Sequence, residues 1–339
     1  MTIPLGLRKY AAMSDPNITF PLVLLWAAPV FALTLSIEWV LVSAGILKGR
    51  YERKDAISSI ALGIGNLLSD ILMGAISLGV LMWMWQFRLF DWGVSLPIIF
   101  LCLIAQDFTY YWKHRAAHRI RWFWTAHVVH HSSQHYNLTT ALRQPWNNHF
   151  TGFVLLTSPL IILGFHPLLV GFVGGINLIY QYWIHTEAID RMPKWFEALM
   201  NTPSHHRAHH GTNPQYLDAN YAGIFIIWDK MFGTFVPEDK QAPVTYGLVS
   251  NYATFNPIKI AVLEIIAVFQ DVFQRKDLGQ TGPNIAQRLK YLFAPPGYSH
   301  DGSRQSSASL KRQYVRDNPH MAGRAGLPDM PTALTEPAE

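Results

Sequence analysis

LCLIAQDFTYYWKHRAAHRI, residues 101–120, carries the reading of the whole chain. Its first half ends an apolar run that begins at Val94 and closes at Trp112. Its second half is basic and holds His114 and His118, whose i, i+4 spacing stacks both imidazoles on one helix face. An apolar segment thus leads directly into a face of metal-ligand type. Towards the N-terminus lie two longer apolar stretches, Phe20–Ser43, interrupted by Glu38, and Ala56–Trp85, which contains Asn66 and Asp70. Each is long enough to cross a bilayer core of about 30 Å. Asp70 reads as hydrogen-bonded to Asn66, one turn earlier. Towards the C-terminus a His-rich stretch runs to about Asn148, followed by a fourth apolar stretch, Thr151–Ile184, with a kink expected around His166–Pro167.

Composition agrees with a membrane protein. Of the 339 residues, 50% are hydrophobic and 14% charged, against about 25% charged in ordinary soluble domains. A soluble, disordered or fibrous chain is disfavoured. Cys102 is the single cysteine, which excludes a disulfide framework, a Cys-based zinc site and an iron–sulfur cluster. The net charge of +5 suits anionic lipid head groups better than nucleic acid, and no nucleic-acid partner is expected. Basic residues set the orientation. Lys48, Arg50, Arg53 and Lys54 follow the first span, and Lys113, Arg115, Arg119 and Arg121 follow the third. The 86–93 connection has Arg88 alone. The positive-inside rule places the first two segments, and with them the histidines, in the cytoplasm.

Thirteen of the 15 histidines fall between His114 and His210. Two further clusters have ligand spacing: His127-Val-Val-His130-His131 and His205-His206-Arg-Ala-His209-His210. Neutral imidazoles in this number suit iron, zinc, copper or nickel, and exceed the needs of one metal. There is no HExxH, no CxxCH and no GxGxxG followed by an acidic residue. Asp107 reads either as an acceptor orienting a ligand histidine or as a helix-end charge at the membrane border. Glu187 reads either as a partner behind a ligand or as a helix N-terminal residue.

The clusters, with Asp107-Phe-Thr-Tyr110, Tyr136-Asn137-Leu-Thr-Thr-Ala-Leu-Arg143, Trp183-Ile-His185-Thr-Glu187, Asn201-Thr-Pro-Ser-His205 and Ile227-Trp228-Asp229-Lys-Met-Phe-Gly233, resemble the fatty acid hydroxylase / sterol desaturase superfamily, and within it the alkylglycerol monooxygenase branch. The resemblance covers roughly residues 55–237. It implies an oxidoreductase: a multi-pass, integral membrane di-iron oxygenase that uses O2 and two electrons from an external donor to hydroxylate or desaturate a lipid. Fatty acyl, sterol and ether lipids all suit it. Carried across by motif, the metal ligands are His114, His118, His127, His130, His131, His206, His209 and His210, with His185 as a further ligand and His205 behind them or an alternative ligand. Iron is the expected metal, and zinc readily replaces it in imidazole sites. A metal-ion transporter and a non-catalytic His-rich membrane protein are the competing readings.

The expected fold is all-α and polytopic, with a cytoplasmic His-rich helical cap around a di-metal site. The expected regions are an N-terminal segment at 1–19, transmembrane helices over 20–112, a catalytic core over 113–245 with a membrane hairpin at 151–184, an amphipathic helical region at 246–293, and a flexible polar tail at 294–339 whose loss leaves the metal site intact.

Overall fold

The computed structural model describes Phe20, residues 23–274 and residues 282–329. The 1–19 segment and the last ten residues of the expected tail lie outside these. Among the described residues the fold is all-helical, and the single extended contact is a bridge between Met200 and Phe225.

Helix α1, Val23–Ser43, and helix α2, Arg53–Trp85, are long and apolar enough to cross a membrane. Only 11% of each apolar window is buried, so neither is the covered core helix of a soluble domain. Leu25, Trp26, Leu33 and Val40 on α1, and Leu67, Leu68, Ile71 and Leu72 on α2, stand exposed. Glu38, Asn66 and Asp70 of these helices have partners. Glu38 is buried and accepts from the backbone N–H of Leu138 (2.9 Å), the Thr186 hydroxyl and the Tyr51 hydroxyl. Asn66 donates to Asp70 (2.9 Å), whose other oxygen meets His149 Nε2 at 2.9 Å. Glu52 caps α2 by accepting from Asp55 N–H.

The third apolar stretch does not end where the histidines begin. Helix α3, Leu96–Arg119, runs unbroken through both, so its apolar and ligand-bearing parts are one rigid rod. Among the described residues, two helices stand out as spans on length and composition; in α3 Gln106 and Asp107 interrupt the apolar run. Helix α4, Arg121–His131, follows after the extended residue Ile120, and α5, Leu138–Ala141, opens with a capping box of Asn137 and Thr140. The 151–184 stretch divides into a 3-10 turn (Phe153–Thr157), α6 (Ser158–Leu163) and α7 (Pro167–Trp183). The break falls at Gly164, at φ 122° and against the Phe90 carbonyl, and at His166, which caps α7. Leu81, Trp85, Cys102, Ile161, Phe165 and Val173 form the core where α2, α3, α6 and α7 meet.

Helices α8 (Lys194–Leu199), α9 (Pro203–His209) and α10 (Ile227–Met231) are short pieces of the cap. Helices α11 (Pro257–Phe273) and α12 (Ile285–Phe293) close it. The segment beyond residue 294 departs from the flexible tail expected for it. It carries α13, Ser307–Asp317, with Val315 buried, and Arg304 pairs with Asp271 (2.5 and 2.8 Å), which Arg121 also holds (2.6 Å). Sparse apolar residues hid this, because the segment is fastened by ion pairs and by packing on the 214–216 turn.

Candidate metal centre

Helix α3 presents His114 and His118, α4 presents His127, His130 and His131, and α9 with its C-cap presents His206, His209 and His210. His185 arrives from the turn after α7. The structure sorts these nine imidazoles into two groups. One holds His114, His118, His127, His131 and His209; the other holds His130, His185, His206 and His210. Within each group, one ring nitrogen from every member lies within 4.8 Å of the others.

The tautomers follow from the backbone. His114 Nδ1 donates to the Tyr221 carbonyl (2.8 Å), His209 Nδ1 to Ala219 (2.7 Å), His130 Nδ1 to Arg143 (3.2 Å) and His185 Nδ1 to Gln181 (2.7 Å). A carbonyl only accepts, so in the neutral rings Nε2 carries the lone pair. Yet His130 Nε2 and His185 Nε2 lie 3.1 Å apart, two lone pairs facing each other with no proton to share. His206 Nε2 stands 3.0 Å from His185 Nε2, and in the other group a chain runs from His114 to His127, His131 and His209 with successive Nε2 spacings of 2.8, 3.0 and 3.1 Å. Buried His118 Nε2, His206 Nδ1 and His210 Nε2 have no hydrogen-bond partner. A metal with bonds of about 2.0–2.1 Å to nitrogen sets neighbouring ligand atoms about 2.9–3.4 Å apart. The donor set therefore fits one metal ion per group.

Electrostatics favour the same state. Burial, reinforced by neighbouring imidazoles, holds His127, His131, His206, His209 and His210 well below the usual imidazole pKa, and burial lowers His130 to about 4. The rings stay neutral, the form that binds a metal.

One strap orients the first group. Asp218 Oδ1 lies 3.7 Å from His118 Nδ1, the Ala219 carbonyl takes the His209 proton and the Tyr221 carbonyl takes that of His114. Asp218 and Asn220 both adopt left-handed φ (53° and 57°), and Asn220 fixes its turn through the His205 and Val236 backbones. Asp229 accepts from the Tyr221 and Ala222 N–H groups, both at 2.8 Å.

Asp107 touches no histidine and is not a helix-end charge. It is fully buried and accepts from Ile224 N–H, Phe225 N–H, Trp228 Nε1 and Asn177 Nδ2 at 2.7–3.0 Å. It anchors the far end of the strap, and through Asn177 and Gln181 it reaches the helix turn that receives the His185 proton. Gly223 crosses here, where a Cβ would come within 2.7 Å of Asn177 and Asp107 oxygens. Glu187 also misses the histidines: it accepts from Tyr246 (3.1 Å), and burial raises its pKa. Tyr246 stacks on Tyr136, which packs against His185 and His210. His205 lies outside both groups, its ring against Phe235.

Sequence reading missed Asp218, Asn177, Gln181, Arg207 and the Asp55–Arg143 pair (2.8 Å). Arg207 ties α9 to Glu238 and to the Thr186, Ile189 and Asp190 carbonyls. Asn177 and Gln181 did leave a signal: two amides one turn apart inside an apolar run.

Residues 99–234, which contain all nine imidazoles, match the fatty acid hydroxylase family. Residues 99–234 belong to that family. Alkylglycerol monooxygenase from Homo sapiens is 37% identical over 276 residues, 80% of this chain and 59% of that protein. The protein of the same name from Caenorhabditis elegans is 38% identical over 257 residues, 74% of this chain and 50% of its own. Ornithine lipid hydroxylase OlsE from Rhizobium tropici is 24% identical over 163 residues, 48% of this chain and 49% of its own. The chain thus spans about half to three-fifths of the length of these relatives. No solved structure matches it. The fatty acid hydroxylase domain supplies α3, α4, α7 and α9, the elements that carry the histidines.

Proposed function

We propose that this chain is a multi-pass membrane di-iron oxygenase that inserts oxygen into a C–H bond of a lipid, with its metal site facing the cytoplasm. The observation that carries the reading is the pair of imidazole groups in which Nε2 atoms of neighbouring rings face one another while the Nδ1 protons of His114, His209, His130 and His185 go to backbone carbonyls. His114, His118, His127, His131 and His209 hold one iron, and His130, His185, His206 and His210 the other. When bound, the irons activate O2 for C–H oxidation, with two electrons from a donor outside the chain.

The protein's part is positional. The strap carbonyls and Asp218 fix ring orientation, burial keeps the rings neutral, and the cap excludes water. The two apolar helices keep the substrate's tail in the membrane beside the cap. Similarity to alkylglycerol monooxygenases favours an ether lipid. Hydroxylation beside the ether oxygen gives a hemiacetal, which separates into an aldehyde and an alcohol; attack on an acyl chain or sterol gives a stable alcohol. The location of the imidazoles in the cap, rather than along α1 and α2, supports the enzyme over a transporter.

The test uses the purified chain in lipid, loaded with ferrous iron and given a chemical reductant and 18O2, with ether, acyl and sterol lipids offered in turn. Mass spectrometry should find 18O in one class, as an aldehyde product if that class is an ether lipid. Absence of label from all three would contradict the proposal.

A further inference from the structure

Helix α11 is apolar on two sides. Ile260, Ala261 and Val268 are buried, and the first two pack with Leu62 of α2 and Val128 and Val129 of α4. On the opposite side Ile258, Ile266, Phe269 and Phe273 are 62%, 46%, 40% and 70% exposed. Helix α12 repeats the pattern in nine residues: Ile285, Leu289 and Phe293 recur every four residues and are exposed, while Tyr291 is buried on the inner side. Arg288 of α12 donates to the Val272 and Gln274 carbonyls at the end of α11, locking the two helices together. A soluble protein rarely leaves so many large apolar side chains on one face.

Resting on the membrane reading above, we propose that α11 and α12 lie in the plane of the bilayer surface and dock the cap onto anionic lipid. Two observations identify the occupant. Through its buried side α11 packs on α2 at Leu62, which sets its outer apolar side beside a span whose exposed Ile64, Leu67 and Leu68 follow within two turns. The face is also edged by cations, Lys259 and Lys290, both exposed, which suits phosphate head groups above a layer entered by Phe and Ile. Docked this way, the histidine-bearing α4, against which α11 packs, is held at a fixed height above the membrane that supplies the substrate.

The test is spin-label accessibility on the full chain in nanodiscs of phosphatidylcholine and phosphatidylglycerol, with Cys102→Ala as background. Labels at Phe269→Cys and Leu289→Cys should be several-fold more accessible to oxygen than to a water-soluble nickel chelate, relative to a label at Gln270→Cys, an exposed polar position on α11. A label at Leu72→Cys in α2 reports the spans separately. If position 72 faces lipid while 269 and 289 face water, the docking proposal fails and the membrane reading stands. If 269 and 289 are shielded from both reagents, protein such as a second copy covers the face, and the proposal is overturned. If 72 also faces water, both fall.

Discussion

The backbone carbonyls of Ala219, Tyr221, Arg143 and Gln181 decide the chemistry of four histidines, because each takes an Nδ1 proton and leaves Nε2 bare. At His118 the neighbour is a charge: the Asp218 carboxylate lies 3.7 Å from Nδ1. Asp218→Asn should weaken metal binding by the first group about 10–100-fold, the usual cost of losing such a partner, and leave the second group unchanged; equal losses in metal titration would contradict this. Acid should act on the metal-free chain through the same rings. The His130 pKa lies at about 4 in the fold, against about 6.5 when unfolded. Between those values the unfolded chain binds a proton that the folded chain does not, so stability is complete above pH 6.5 and falls as pH drops towards 4. Thermal melts of metal-free protein across that range check the sign. At this scale the shared faces of the imidazoles were legible in the sequence, since HxxxH and HxxHH spacings stack side chains on one side of a helix. The tautomer-setting carbonyls were not, because a backbone acceptor leaves no residue signature.

Between the helices, the strap from Asp218 to Phe225 couples the two ligand groups. Asp107 and Asp229 fasten it by accepting backbone N–H groups, and Asp107 continues through Asn177 towards His185. Gly223→Ala should disturb both groups, because the added Cβ meets the Asp107 and Asn177 oxygens. Metal content should fall in that variant while α1 and α2 still insert; unchanged content would show that the strap gives way freely. The buried Asp55–Arg143 pair fixes α2 to the His130 segment, and Arg143→Ala should cost about 3–5 kcal/mol by leaving Asp55 buried and unpaired, read as a lowered melting temperature. The extent of the third helix and the fastening of the C-terminal segment were not legible in the sequence for one reason. Hydropathy marks where lipid ends, and neither the end of a helix nor an ion-paired contact follows it. Gly326 lies against the Gln215 carbonyl and α13 packs on the 214–216 turn just ahead of Asp218. Truncation after Ala294 should therefore loosen metal in the first group more than in the second.

At the scale of the whole molecule, two apolar helices carry a cap in which nine imidazoles converge from three helices and a turn. Sequence spacing assigned ligands to clusters by order along the chain, whereas the fold pairs them across it: His131 joins His114 and His209, and its neighbour His130 joins His185 and His206. Adjacent residues on a helix point about 100° apart, which is why one cluster contributes to both groups. With Cys102 replaced, an impermeant thiol reagent outside intact cells should label Gly93→Cys and not Gln241→Cys, both exposed positions; the opposite result would reverse the proposed orientation. The central claim is the two-metal centre. Full-length protein, reconstituted with ferrous iron without air and freed of loose metal, should contain about two irons per chain by elemental analysis. His114→Ala and His130→Ala, one from each group, should each bring it to about one. A single iron in the unaltered chain, or two irons retained in both variants, would contradict the account.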